Sequence, residues 1–311
     1  MKYFRSYPYM LQLLLFILMV FTLFSFGSLF IPAVVLKITG FTPQQLMGVT
    51  LASPPALVNA LEWVEGISNI FTFGITALLF AYLSTPRPGS YLGMRRPGKN
   101  VQLLLAVLVM LGATPLLEGL GGLISQIDFG VKIKADQKAT DDMMSAFMNV
   151  NSFGAFIKVF TIFAIIPGVG EELFFRGLLM RFAKKRSFNM VFPVLFTAAI
   201  FAYAHTNIYG MLSIFLAGIL LAVIYNLTGS IWCGVLGHIC FNGMQILLAY
   251  VGNTHASIKV MLGSNMMPYY MLVGGAIVFG ISFYLLWKNR TPLPPNWTDD
   301  YTPEEISAKA Y

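Results

Sequence analysis

The stretch FGAFIKVFTIFAIIPGVGEELFFRGLL, running from Phe153 to Leu179, decides the fold. It is almost wholly apolar and longer than the ~20 residues a helix needs to cross the hydrocarbon core, so it reads as a membrane span. Its second half breaks the pattern, because Glu171, Glu172 and Arg176 fall within six positions. An ionised side chain at the bilayer centre costs roughly 2.5–3.5 kcal/mol on insertion scales, so such groups face a bundle interior, pair with one another or line a cavity. Glu172 and Arg176 are four residues apart and share a helix face, which predicts an ion pair. Glu171 is turned about 100° away from Glu172. Its partner has to come from another helix.

The rest of the chain agrees with this reading. Of 311 residues, 57% are apolar and 11% charged, whereas a soluble domain carries about 25% charged residues. The surface of a water-facing globule is therefore excluded. Apolar runs at 10–36, 67–83, 101–124, 153–179, 190–203, 209–225, 230–251 and 269–287 predict an all-α, polytopic transmembrane helix bundle of about eight spans. The first run follows Lys2 and Arg5 but is too long for a signal-peptide core of about 7–15 residues, and it reads as an uncleaved span.

Basic residues cluster in the loops: Arg87, Arg95, Arg96 and Lys99; then Arg181, Lys184, Lys185 and Arg186; then Lys288 and Arg290. Eight spans put all of them on one side, while Asp136, Asp141 and Asp142 dilute the lysines opposite. The positive-inside rule makes both termini cytoplasmic. This placement accounts for the net charge of +7 without a nucleic-acid partner; the expected partner is the lipid bilayer. The chain divides into N-terminal helices with an outside loop (1–150), a core carrying the polar motifs (151–290) and a polar cytoplasmic tail (291–311). In the tail, Thr302-Pro303-Glu304-Glu305 reads as a capping box opening a short helix. Cys233 and Cys240 lie seven residues apart, about 10 Å on a helix and too far for a disulfide. They read as small buried residues.

Two further spans carry polar groups. One ends Phe201-Ala202-Tyr203-Ala204-His205, and another contains His238-Ile239-Cys240-Phe241-Asn242, with His238 and Asn242 on one face. His255 falls in an outside loop. Each group has a bland reading. Glu172–Arg176 suits a structural interhelical pair, Glu171 suits a protonated carboxyl hydrogen-bonded in the bundle, and a membrane histidine often only bridges helices. Together they suit chemistry: a carboxylate beside a neutral imidazole takes a proton from water, and imidazole and amide N–H groups stabilise an oxyanion. Depth is the awkward point. Counted from the basic ends of their predicted spans, Glu171 and His238 lie about 10–15 Å deep, but His205 lies near 22 Å at about 1.5 Å per residue.

The three blocks resemble the CPBP family of intramembrane proteases, which includes the type II CAAX prenyl endopeptidases and bacterial bacteriocin-processing and immunity proteins. The family pattern is Glu-Glu-x-x-x-Arg, Phe-x-x-x-His and His-x-x-x-Asn. Here the blocks are Glu171, Glu172 and Arg176, then Phe201 and His205, then His238 and Asn242, in the family's order. The resemblance implies an intramembrane endopeptidase, with a peptide or protein substrate in the membrane as its partner, in which Glu171, assisted by His205, activates water. His238 and Asn242 would donate to the oxyanion, Glu172 and Arg176 organise the site, and Phe201 shapes its wall.

No cofactor is expected. Glu171, His205 and His238 are the candidate ligands should a zinc ion be present, but the chain lacks His-Glu-x-x-His, the helical zinc signature. Two other functions compete: a non-catalytic immunity or regulatory protein of the same fold, and a proton-coupled transporter using Glu118 beside Gly119, Gly121 and Gly122.

Overall fold

The computed structural model describes residues 3–255, 267–299 and 301, and the described residues hold helices and no strand. The capping box at Thr302 lies outside them. Among the described residues nine principal helices follow one another: α1 (Tyr9–Thr39), α2 (Pro55–Ser84), α3 (Val101–Ile124), α4 (Val131–Phe147), α5 (Phe153–Lys184), α6 (Val191–Ala204), α7 (Met211–Thr228), α8 (Ile231–Thr254) and α9 (Tyr269–Lys288). The protein is an integral, multi-pass membrane protein. Seven of the helices are long and apolar enough to cross a bilayer. The expected eighth span is α6, whose 14 residues rise about 21 Å against a hydrocarbon core of about 30 Å. Helix α6 stops where Thr206 adopts a φ of 50°, a left-handed conformation that β-branched residues rarely take. Helix α4 is the polar exception, carrying the Lys138–Asp142 pair on its exposed face.

The basic clusters share one face of the bundle. Tyr9 Oη donates to the Phe182 carbonyl, Gln102 Nε2 to the Asn289 carbonyl, and Ser230 Oγ to the Arg95 carbonyl. Arg181 is buried there, stacked 4.0 Å over Tyr91 and donating to the carbonyls of Trp297 and Asp299. These bonds bring the N-terminus, the loop after α2, the loop after α5, the turn at Gly229 and the tail to the same side. Short as it is, α6 leaves from this face and α7 returns to it.

Aromatic packing fixes α5 between α1 and α2. Phe16 lies 5.5 Å from Phe174 and 5.1 Å from Phe182, and Phe80 lies 5.6 Å from Phe182. Elsewhere glycines set the contact. A Cβ on Gly112 of α3 would lie 2.5 Å from the Phe279 nitrogen of α9. Gly112→Ala should therefore destabilise the protein by about 1–3 kcal/mol, the usual range for overpacking. Gly280→Ala, also on α9 but facing open space, is the control expected to leave thermal unfolding in detergent unchanged or slightly raised.

Wide π turns interrupt three helices, at Phe26–Phe30, Ile70–Ile75, Thr161–Ile165 and Leu173–Leu179. Such turns are frequent at functional sites. The two in α5 enclose Ile166–Glu172, the segment that carries both glutamates.

Candidate active site

Pro167 sets the local geometry of α5. It has no N–H for the carbonyl four residues back, which belongs to Phe163. The Asn242 amide of α8 donates to that carbonyl at 3.1 Å, a neighbouring helix satisfying a backbone group that proline releases. Beyond Pro167, Gly168 and Gly170 let α8 and α2 approach. A Cβ at Gly168 would meet the Ile239 side chain at 2.6 Å, and one at Gly170 would lie 3.3 Å from the Gly74 nitrogen. Glu171 and Glu172 are thereby held where three helices meet, 6% and 0% exposed.

Glu172 is the hub. Its Oε1 accepts from Arg176 Nη1 at 2.6 Å and from His238 Nδ1 at 3.1 Å. Arg176, 1% exposed, donates also to the Gly218 carbonyl of α7 at 3.0 Å and lies 4.9 Å over the Phe201 ring. A carboxylate oxygen accepts, so His238 presents an N–H at Nδ1, and in the neutral ring Nε2 keeps its lone pair. That nitrogen faces Glu171 Oε2 at 3.9 Å, too far for a direct hydrogen bond. The other oxygen of Glu171, Oε1, accepts from Asn69 Nδ2 of α2 at 2.9 Å. Among the described residues, Glu171 Oε2, Glu172 Oε2 and Asn69 Oδ1 are buried acceptors that no donor reaches. Such groups are rare in folded proteins.

Of the predicted site residues, Glu171, Glu172, Arg176 and His238 converge, with Phe201 as their aromatic wall 5.8 Å from the His238 ring. Among the described residues no hydrogen bond or ion pair links His205 to those four. It caps α6 with its ring 4.7 Å from the Phe201 ring and its Nδ1–H donating to the Phe201 carbonyl at 2.7 Å. Asn242 sits one helical turn beyond His238, with one amide hydrogen on Phe163. Helix α5 runs on to Lys184, so Glu171 is thirteen residues above that end, about 20 Å, and His205 fourteen above Val191, about 21 Å, while His238 is seven above Ile231, about 10 Å. Since Glu171 and His238 approach to 3.9 Å, the helices end at different levels and counting from their ends does not measure a common depth.

A zinc site built from Glu171, His205 and His238 does not fit this arrangement. Among the described residues no three His, Cys, Asp or Glu side chains gather closely enough to hold a metal ion, and the His205 Nδ1 is turned to a carbonyl. Cys233 is buried and Cys240 half-buried, and both are free thiols. Glu118 accepts from Gln245 Nε2 of α8 at 2.8 Å.

Asn69 escapes a sequence reading. It is neutral, and one amide in an apolar run is an ordinary event. The Gly218 carbonyl carries no side-chain signal at all. The freed Phe163 carbonyl, by contrast, follows from Pro167 by counting back four residues.

No curated protein and no solved structure matches the chain. A family model does, and its match takes in Glu171, Glu172, Arg176, Phe201, His205, His238 and Asn242. Over residues 153–244, the part that carries this cluster, the chain matches the family described as Type II CAAX prenyl endopeptidase Rce1-like.

Proposed function

We propose that the chain is an intramembrane endopeptidase in which Glu171 activates water against a peptide bond. The observation that carries this reading is the pair of acceptors 3.9 Å apart, Glu171 Oε2 and His238 Nε2, each held from behind by a different helix. A water lodged beside both donates one hydrogen to each, which turns its lone pair towards an incoming carbonyl carbon. As the new C–O bond forms, Glu171 takes the proton on that side. When the tetrahedral intermediate collapses and the C–N bond breaks, Glu171 returns the proton to the leaving nitrogen. His238 keeps its orientation because Glu172 holds Nδ1, and Arg176 neutralises Glu172 in turn. Asn242 has a second amide hydrogen to donate to the oxyanion. His205, its ring packed 4.7 Å from that of Phe201, completes the wall of the site. By the positive-inside rule the basic face, with both termini, is cytoplasmic.

The substrate in this proposal is a membrane-associated peptide bearing a hydrocarbon chain. A cavity of about 590 Å³ between α3, α7 and α9 supports it, lined almost entirely by carbon from residues such as Leu117, Leu120, Leu220 and Phe279. Leu220 and Ile219, which also lines it, follow Gly218, the residue whose carbonyl receives Arg176. The family description names prenyl substrates, and an apolar, chain-sized cavity suits that chemistry.

The test is cleavage by the purified protein in proteoliposomes, in ¹⁸O-labelled water, of prenylated and unmodified copies of one peptide. The expected products carry one labelled oxygen in the new C-terminal carboxylate, and the prenylated peptide is cut at least about tenfold faster, in keeping with ~1.4 kcal/mol per decade. Absence of cleavage of both peptides would remove the function. Equal rates would remove only the substrate class.

A further inference from the structure

Asn69 lies on α2, outside the matched segment and outside all three sequence blocks. It is the last residue before the wide turn Ile70–Ile75, and its backbone is fixed from both sides. The preceding residue, Ser68, donates from Oγ to the Gly27 carbonyl of α1 at 2.8 Å. Five residues after Asn69, in the wide turn, Gly74 lies against Gly170 of α5 so closely that a Cβ on Gly170 would touch both the Gly74 nitrogen and Asn69 Oδ1, at 3.3 and 3.4 Å. This close approach is what lets so short a side chain reach the carboxyl next door. A carboxylate accepts only, so the amide nitrogen is the atom that faces it.

We infer that Asn69 is a positioning residue for Glu171: by holding Oε1 at 2.9 Å, it turns Oε2 towards His238 and the attacking water. The inference rests on the reading of Glu171 as the base. Glu171 has two oxygens and one of them must be free to take the proton. Without Asn69 the carboxyl rotates about its last torsion, a broad and weakly restrained one, and the two acceptors no longer face a single water. A group that positions a base in this way leaves substrate affinity alone and acts on the chemical step.

The experiment uses the full chain in proteoliposomes with a membrane peptide substrate. Asn69→Leu, of similar size and with no donor, should lower kcat by about 10–100-fold, the order expected for slight misplacement of a reacting group, with KM within about twofold. Asn69→Gln, which keeps the amide donor, should recover a substantial part of that loss. In a Glu171→Gln background, Asn69→Leu should change the residual rate by less than about twofold, because residues that act as a unit are non-additive. Should Asn69→Leu fail to fold, Asn69→Asp, nearly identical in shape but bringing an acceptor against an acceptor, makes the same comparison and should lose at least as much. Wild-type kcat in Asn69→Leu, or the same fold-loss with and without Glu171, would overturn the inference and leave the protease intact. Wild-type cleavage by Glu171→Gln alone would instead overturn the role of Glu171, and this inference with it.

Discussion

Glu171→Gln should reduce peptide cleavage by about 10²–10⁴-fold, the range general-base groups contribute, while the protein folds and melts much as before. The two halves of this expectation have one cause. Glutamine has the size of glutamate and keeps an oxygen for Asn69 Nδ2, so the bond across α2 and α5 survives. What it lacks is an oxygen able to take a proton. Where glutamate presents Oε2 to the water, glutamine presents either an NH₂ group or a weakly basic amide oxygen. Rates from product mass spectrometry, set beside circular dichroism melts in the same detergent, check both halves. Cleavage at the wild-type rate would eliminate Glu171 as the base.

Arg176→Met carries the largest expected cost in stability. It strands Glu172, 0% exposed and deprived of its 2.6 Å partner. Removing one partner of a buried ion pair is destabilising by about 3–5 kcal/mol, whereas replacing both by apolar groups of similar volume is often neutral. The double variant Glu172→Leu with Arg176→Met should therefore melt near the wild type. It should nonetheless remain inactive, because His238 Nδ1 then has no acceptor and its ring no fixed orientation. A single variant more stable than the double would contradict the assignment of Glu172 as the ionised hub. A fully active double variant would show that orientation of His238 is unimportant.

The membrane explains what could be read beforehand. Lipid makes a lone charge so expensive that Glu171, Glu172 and Arg176 announce themselves in an apolar run, and the i,i+4 pair is observed as spacing demands. Helix ends are harder. Arg181 and Lys184 look like loop residues by composition, yet α5 continues through them because Tyr91 and two tail carbonyls receive the Arg181 guanidinium. Those partners are remote in sequence, and no local pattern contains them. Helix α6 ends at the left-handed Thr206, which hydropathy cannot register either. Asn69 was hidden for the opposite reason to the charges. A neutral amide costs little in an apolar segment, so its partner appears only when α2 and α5 are brought together.

The wide turn at Leu173–Leu179 has a consequence for how the molecule tolerates change. It sets the angular phase between the Glu171–Glu172 end of α5 and the Arg181 end that grips the tail. Each residue of an ordinary helix adds about 100° of rotation. The wide turn takes up one residue more than an ordinary turn, so deleting Leu178 or Leu179 lets it relax to ordinary helix and keeps Arg181 close to Tyr91 and Trp297, whereas inserting a residue adds about 100° and swings Arg181 away from them. In this stretch, then, losing one residue disturbs the molecule less than gaining one.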